Sequence, residues 1–148
     1  MHYADMDPSQ KLLTAAKEGN INGIKESIVS GVDIDTAFDY GMTALHFAAN
    51  GGYKPCAIEL IENGNANMNV QDDDGQTPLM LASTRLASVE VAKLLINRGA
   101  DVEMKDNKGM TALMWATTHR NEKVVRTLLQ SQSRAEVVAG KWCGSTSS

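Results

Sequence analysis

The stretch Thr77-Pro78-Leu79-Met80-Leu81-Ala82-Ser83 decides how this chain folds, because it recurs with small changes. It appears earlier as Thr43-Ala44-Leu45-His46-Phe47-Ala48-Ala49 and later as Thr111-Ala112-Leu113-Met114-Trp115-Ala116-Thr117. The opening threonines stand at positions 43, 77 and 111, so the period is 34 residues. Self-similarity at a fixed period of about 20–50 residues is typical of proteins built from stacked repeats.

Each copy begins with the signature of a helix start. A threonine can cap the first turn through its side-chain oxygen, and Pro78 has a backbone angle preset for the next position. After a turn, a second helix is predicted from the helical spacing of apolar residues. After the copy that begins at Thr77 these residues are Val91, Leu94 and Leu95, and after the copy that begins at Thr111 they are Val124, Val125, Leu128 and Leu129.

Glycines mark the end of each second helix. Gly31, Gly64 and Gly99 follow the apolar stripes and precede the next threonine by 12 or 13 residues. A left-handed residue commonly ends a helix, and glycine adopts that conformation without steric cost. We therefore predict left-handed caps at these three positions.

The repeated unit resembles the ankyrin repeat, whose signature is T-P-L-H-x-A with a period of about 33 residues. The resemblance covers residues 8–132 and includes the turns before Thr77 and Thr111 and the exit Gly99-Ala100-Asp101-Val102. It implies an all-α solenoid of stacked helix-turn-helix units joined by extended turns.

The resemblance implies a single repeat domain over residues 8–140, preceded by an extension over 1–7. The repeats are placed at about 8–35, 36–69, 70–103 and 104–133, and capping residues continue to 140. The polar residues 141–148 are predicted to be a disordered tail, because few of them could be buried.

Three departures from the family pattern are visible. Met80 and Met114 replace the histidine found at His46, so the junctions after them lack its polar bridge and are expected to be looser. Asn65 is one extra residue, and another lies within Thr84–Ser88. Insertions in such repeats map to loops, so the stack is expected to accommodate both.

The amino-acid composition limits the classes of function that this chain can have. The 148 residues carry a net charge of −4 with 43% hydrophobic residues, as in a soluble globular protein. This acidic balance argues against nucleic-acid binding, and no apolar run approaches the ~18 residues of a membrane span. The two cysteines are too few for a disulfide framework, which favours the cytoplasm or nucleus. We expect a monomer.

No constellation of residues points to catalysis. The three histidines are scattered, and the sequence carries no metalloprotease, nucleophile-elbow or phosphate-loop motif. Cys56 is expected to be buried, and Asp72-Asp73-Asp74 lacks the alternating spacing of a calcium loop. The sequence therefore predicts no enzyme, no cofactor and no metal. Asn69 resembles an asparagine that oxygen-sensing hydroxylases modify in some ankyrin repeats, and its alternative role is hydrogen bonding within the turn.

The resemblance implies a binding surface on the concave face, made of the turn tips and the open side of each first helix. Phe47 and Trp115 are open to two interpretations, because each could contact a partner or pack against the adjacent turn. The residues assigned to this surface are Asp39, Tyr40, Met42, Phe47, Asp73, Asp74, Gln76, Lys108, Met110, Trp115 and His119.

Three functions fit these observations. The leading one is a non-enzymatic protein-binding module, an adaptor or scaffold that recognises a protein partner through the concave face. The second is an inhibitory ankyrin chain that blocks an enzyme such as a kinase. The third is an array excised from a larger multidomain protein. Fold alone does not name the partner.

Overall fold

The computed structural model describes residues 7–138, and of residues 132–138 it describes the backbone only. The predicted extension and tail lie outside this range except for Asp7. The described chain consists of helices and turns with no strand. The eight α-helices are α1 (Pro8–Glu18), α2 (Ile21–Val29), α3 (Ala44–Gly51), α4 (Lys54–Glu62), α5 (Pro78–Ser83), α6 (Val89–Asn97), α7 (Ala112–Thr118) and α8 (Glu122–Val138).

The helices form four antiparallel pairs stacked in two rows. The first helices α1, α3, α5 and α7 contact one another in that order, and the second helices α2, α4, α6 and α8 form the other row. Small residues allow the rows to approach closely, since Ala16, Ala49, Ala57 and Ala92 are completely buried. The predicted all-α stack of four helix pairs is confirmed.

The threonines cap the first helices as the sequence predicts. The hydroxyl oxygen of Thr77 accepts a hydrogen bond from the backbone N–H of Met80, and Thr111 does the same for Met114. At the N-terminal end of the stack, Asp7 accepts from the N–H of Ser9, and Pro8 opens α1. These caps satisfy backbone donors that have no partner inside the helix.

The prediction of a left-handed cap at Gly64 is wrong. Gly31 and Gly99 have positive φ angles of 81° and 92°, but in the second repeat Asn65 takes the left-handed conformation, with φ 56°. The extra residue shifts the left-handed position that follows the second helix by one residue. Asparagine is among the few non-glycine residues that often adopt this conformation. In the third repeat, a turn of 3-10 helix at Leu86–Ser88 lies within the predicted Thr84–Ser88 insertion.

Leu129, one of the apolar residues whose spacing predicts α8, differs from the others in its exposure. Val124 and Leu128 are buried and Val125 is half-buried, but Leu129 is 48% exposed. Its side chain lies at the end of the stack, where no fifth repeat covers it among the described residues.

Hydrogen bonds between the extended turns tie neighbouring repeats together. The carboxylate of Asp35 accepts from the N–H of Asn67, and the Asn69 side-chain oxygen accepts from the N–H of Asp101. The side chain of Asn69 therefore links two repeats, whereas the alternative role suggested by the sequence was a hydrogen bond within its own turn.

The junction after Met80 has polar links of its own. The side-chain amide of Asn121 donates to the carbonyls of Ser83 and Arg85, and that of Gln71 donates to the carbonyl of Lys105. Met80 itself is buried and fills space between repeats. The lost histidine bridge is thus replaced by amide side chains at other positions.

Candidate functional site

Hydrogen bonds from side-chain carboxylates and from the main chain hold the turn tips in place. In the third and fourth repeats, the carboxylates of Asp72 and Asp106 each accept two backbone N–H groups of the same turn. The N–H of Asp73 donates to the carbonyl of Tyr40, and that of Asn107 donates to the carbonyl of Asp74. Main-chain bonds therefore fix one tip to the next.

Glycine is required where two tips meet. Gly75 has φ 80°, and a side chain there would place its Cβ 2.8 Å from the backbone nitrogen of Asn107. Such a contact is far closer than non-bonded atoms allow, so the close approach of the tips depends on this glycine.

The first tip lacks the aspartate that organises the other two. Phe38 stands where Asp72 and Asp106 stand in the later repeats, so no carboxylate accepts the N–H groups of this turn. The chain instead forms a short 3-10 turn at Asp39–Gly41, with Tyr40 at φ 60° and ψ 22°. Tyr40 is 78% exposed, which makes it the most exposed aromatic residue of the described chain.

Tyr40→Gly is expected to stabilise the fold. A non-glycine residue in the left-handed region costs about 1–2 kcal/mol, part of which the greater flexibility of glycine in the unfolded chain offsets. We expect the free energy of unfolding to rise by about 0.5–1 kcal/mol, measured by urea denaturation. As a control, Asp74→Gly at the matching position of the next tip should lower stability, because no positive φ is found there. A loss of stability in Tyr40→Gly would contradict the conclusion that Tyr40 is held in an unfavourable left-handed conformation.

The second tip presents two carboxylates. Asp73 and Asp74 are exposed, and their side chains form no ion pair with another described residue. Gln76 is half-buried beside them. With Asp39 of the first tip, which is also exposed, they give this side of the array a run of negative charge.

The last tip differs in charge and is anchored by its tryptophan. Lys108 is exposed and Met110 is half-buried. The indole N–H of Trp115 donates to the Asp106 carboxylate over 2.8 Å, and Trp115 is half-buried. Burial tends to raise the pKa of Asp106, but hydrogen bonds from Met110, Trp115 and Lys108 outweigh it and hold that pKa below the ordinary value. The tryptophan thus stabilises the charged form of the residue that organises this turn.

The remaining assigned residues lie on the first helices or next to their ends. The ring of His119 lies 5.8 Å from the ring of Trp115, and His119 is exposed. Met42 and Phe47 are half-buried. The ammonium group of Lys17 stands 5.3 Å from the centre of the Phe47 ring, in the geometry of a cation–π contact.

Sequence reasoning missed two contacts on this side of the array. Lys17 lies in the first repeat and Phe47 in the second, and Arg85 donates from its Nε to the side-chain oxygen of Asn50. Both contacts join residues of neighbouring repeats at 30 or more positions apart, so they follow only from the stacking register.

His46 links the second and third repeats from a buried position. Its Nδ1 accepts the backbone N–H of Thr43, so the ring proton is on Nε2, which lies 2.8 Å from the Gln76 carbonyl oxygen and donates to it. Burial is the main cause that lowers the pKa of His46, and the Gln76 carbonyl and Asp72 oppose it only in part. The fold therefore requires the neutral ring.

This geometry predicts that acid weakens the fold. A lowered pKa means that the unfolded chain binds the proton first, so stability is complete above the ordinary histidine pKa of 6.5 and is lost as the pH falls below it. The free energy of unfolding should fall by at most about 1.4 kcal/mol per pH unit from this one group. Urea denaturation between about pH 7 and pH 5 measures the effect.

The matched control is His46→Met, because methionine fills the equivalent position at Met80. This variant should be less stable at neutral pH but should lose the part of the pH dependence that His46 contributes. If the stability of His46→Met depended on pH as that of wild type does, His46 would not be the group responsible for the loss of stability in acid.

Comparison with known proteins agrees with the geometry. A family model described as ankyrin repeats (3 copies) matches residues 12–106 and 65–139. The chain belongs to the ankyrin-repeat family. Ankyrin repeats are generally protein–protein interaction modules, and the repeat domain itself is a non-catalytic fold.

The relatives of this ankyrin-repeat chain are much longer proteins. It is 39% identical over 74 residues to serine/threonine-protein kinase 12 of Arabidopsis thaliana, covering 50% of this chain and 16% of the kinase. It is 37% identical over 76 residues to the ankyrin repeat, SAM and basic leucine zipper domain-containing protein 1 of Ovis aries, covering 51% and 16%. It is 34% identical over 76 residues to the human neurogenic locus notch homolog protein 1, covering 51% and 3%. The chain thus spans about a sixth or less of each of these relatives.

The described part of this ankyrin-repeat chain has neither a metal-binding cluster nor a membrane-spanning helix. No group of three or more His, Cys, Asp or Glu side chains within residues 7–131 could hold a metal ion. None of the described helices is both long and apolar enough to cross a membrane. Cys56 is buried as predicted, and its burial raises the pKa of the thiol.

Proposed function

We propose that this chain is a non-enzymatic binding module that recognises a protein partner through the surface made of its turn tips and first helices. The observation that carries the proposal is the contrast between the backbone and the side chains of the tips. Hydrogen bonds lock the tip backbones to one another, while Tyr40, Asp74 and Lys108 remain exposed. A rigid backbone lowers the entropy lost when exposed side chains bind a partner.

The distribution of charge also favours the turn tips, rather than the second-helix row, as the binding surface. On the second-helix row, Glu62 pairs with Arg98, and Glu90 pairs with Lys54 and Lys93. The carboxylates of Asp39, Asp73 and Asp74 have no such cation among the described residues. These unpaired charges favour a partner with basic residues.

Apolar side chains on either side of the acidic tip would contact apolar residues of the partner. Tyr40 precedes the acidic tip, and the half-buried Met110 and Trp115 follow it. Aromatic residues are enriched among the positions that dominate binding energy. The partner surface we propose is therefore a basic segment flanked by apolar side chains, and its association should slow as salt screens the charges.

Affinity capture with charge-reversed variants tests this proposal. Wild-type protein, Asp74→Lys and Glu26→Lys are each used as bait in an extract of the native source, and the bound proteins are quantified by mass spectrometry. Glu26 is an exposed residue of α2, so its reversal changes the net charge equally but leaves the tips intact. We expect one protein to be captured by wild type and Glu26→Lys and to be reduced at least tenfold with Asp74→Lys. Equal capture by all three baits would contradict the proposed surface.

A further inference from the structure

The outer side of the fourth repeat differs from the junctions between the described repeats. Thr117 on α7 and Val125 on α8 stand at positions that the following repeat covers completely in the three earlier units. Thr117 is exposed and Val125 is half-buried. Their counterparts are all 0% exposed: Ala16, Ala49 and Ser83 for Thr117, and Ile24, Ala57 and Ala92 for Val125. We refer to Thr117 and Val125, together with exposed Met114 and Leu129, as the terminal face.

Arg120 stands where the earlier repeats need glycine in order to pack closely. It lies in the turn between α7 and α8 at φ 55°, in the left-handed conformation that Gly19 and Gly52 adopt in the first two repeats. A Cβ at Gly19 would lie 2.6 Å from the Tyr53 ring of the next repeat, and one at Gly52 would lie 2.6 Å from the Ala87 carbonyl oxygen. A repeat that stacked on the terminal face in the same way would bring its own turn against the Cβ of Arg120. The terminal face therefore fits an occupant of another kind.

A cavity of about 540 Å³ opens on the terminal face. It is lined by Thr117, Arg120, Glu122, Val125 and Arg126, which lie in the last turn of α7, the first turns of α8 and the connection between them. Ligand pockets in proteins have volumes of about 300–1,000 Å³, so the cavity is large enough to hold side chains of a partner.

The two arginines of the cavity are free to bind an anionic group. Arg85 and Arg98, the other arginines whose side chains are described, each bind an acceptor of the neighbouring second repeat. No ion pair or side-chain hydrogen bond joins Arg120 or Arg126 to another described residue. A guanidinium group can bind a carboxylate through two parallel N–H donors, which gives both strength and orientation.

Glu122 does not cancel the charge of the arginines. It stands in the first turn of α8, where the N–H groups at the start of the helix stabilise a carboxylate. It precedes Arg126 by four residues, but the two side chains form no ion pair. The cavity thus carries a local positive charge in a chain whose net charge is −4.

We propose that the cavity binds an acidic segment of a protein partner, with a carboxylate of the segment held by Arg120 and Arg126. An apolar side chain next to that carboxylate lies against Val125 and Leu129, because exposed apolar surface of this kind marks interaction sites. The proposal rests on the proposed function only in taking the occupant to be a protein. The cavity is at the end of α7 that is away from Met110 and the fourth turn tip, so it is a contact separate from the tips.

Titration of the isotope-labelled full chain with a defined peptide tests this inference. The probe is a short capped peptide of leucine and glutamate, and a matched peptide has glutamine in place of glutamate. Amide chemical shifts are followed up to about 5 mM peptide, a range that covers weak binding. We expect saturating shifts at Thr117, Arg120 and Val125 with the glutamate peptide. The glutamine peptide should bind at least about fivefold more weakly, because it lacks the charge that the arginines bind.

Two variants of the cavity and one control locate the binding site. Arg126→Gln should weaken binding of the glutamate peptide at least about fivefold, because a charge-assisted hydrogen bond is lost. Lys25→Gln removes the same charge from an exposed residue at the equivalent position of α2 and should bind as wild type does. Arg120→Gly should weaken binding as Arg126→Gln does. It introduces the residue that the first two repeats carry in this turn, so the backbone conformation is retained.

Several results would overturn the proposal: no saturating shifts at the cavity, equal binding of the two peptides, or unchanged affinity in Arg126→Gln. Inorganic phosphate that bound as tightly as the glutamate peptide would also overturn it, because it would identify a simple anion site that does not use the apolar surface. Asp74→Lys should bind the peptide no more weakly than wild type. A failure of this proposal is therefore distinguishable from a failure of the surface at the turn tips, which is tested by capture with Asp74→Lys.

Discussion

Leu79→Ala is expected to lower the free energy of unfolding by about 2–5 kcal/mol. Leu79 is 1% exposed in α5, which packs against α3, α6 and α7, so the cavity left by truncation lies in the middle of the stack. Neighbouring repeats cannot close it without moving the short first helices. Chemical denaturation measures the loss.

The control for Leu79→Ala is Asp74→Ala. Asp74 is exposed and contributes its backbone rather than its side chain to the hydrogen bonds of the tip. Its replacement should change stability by no more than about 0.5 kcal/mol. Similar losses for the two variants would contradict the repeat register on which every position in the array depends.

Trp115→Ala is expected to lower the free energy of unfolding by about 3 kcal/mol, near the lower end of the range for buried tryptophan because Trp115 is half-buried. Truncation removes apolar contact with the core and the hydrogen bond to Asp106. A carboxylate that loses a donor is less well stabilised in its charged form, so the pKa of Asp106 should rise toward its ordinary value.

Trp115→Phe separates the two contributions. Phenylalanine keeps most of the apolar contact but cannot donate to Asp106, so this variant should lose about 1–3 kcal/mol, the effect of the hydrogen bond alone. Carbonyl chemical shifts of Asp106 during an acid titration measure its pKa in both variants. A melting temperature unaffected by Trp115→Ala would contradict the anchoring role. The part of Trp115 in binding a partner stays a prediction, tested by the affinity of the folded fraction.

Most of the fold follows from the sequence because the repeat specifies it several times over. The threonine caps and apolar stripes recur with one period. Each helix pair therefore packs on the next one in the same way. The structure departs from this regularity where the pattern changes locally. One extra residue moves the left-handed cap from Gly64 to Asn65, and Leu129 is exposed because none of the described repeats packs against it.

The candidate surface is less predictable than the fold. Its positions follow from the repeat, but the exposure of each side chain depends on contacts between repeats, such as that of Lys17 with Phe47. The unusual conformation of Tyr40 did have a sequence signal. Phe38 stands where the other tips have aspartate, so the first turn lacks the carboxylate that would hold it in the ordinary conformation.

Tyr40→Gly offers the most direct test of the proposed binding surface, because folding and binding should respond in opposite directions. The measurement is a titration of the captured partner with wild type, Tyr40→Gly and Val29→Gly, the last changing an exposed residue at the end of α2. We expect Tyr40→Gly to bind at least tenfold more weakly than wild type although it is the more stable protein, because a dominant contact residue is lost. Val29→Gly should bind as wild type does. An unchanged Kd for Tyr40→Gly would contradict the claim that the partner binds at the turn tips.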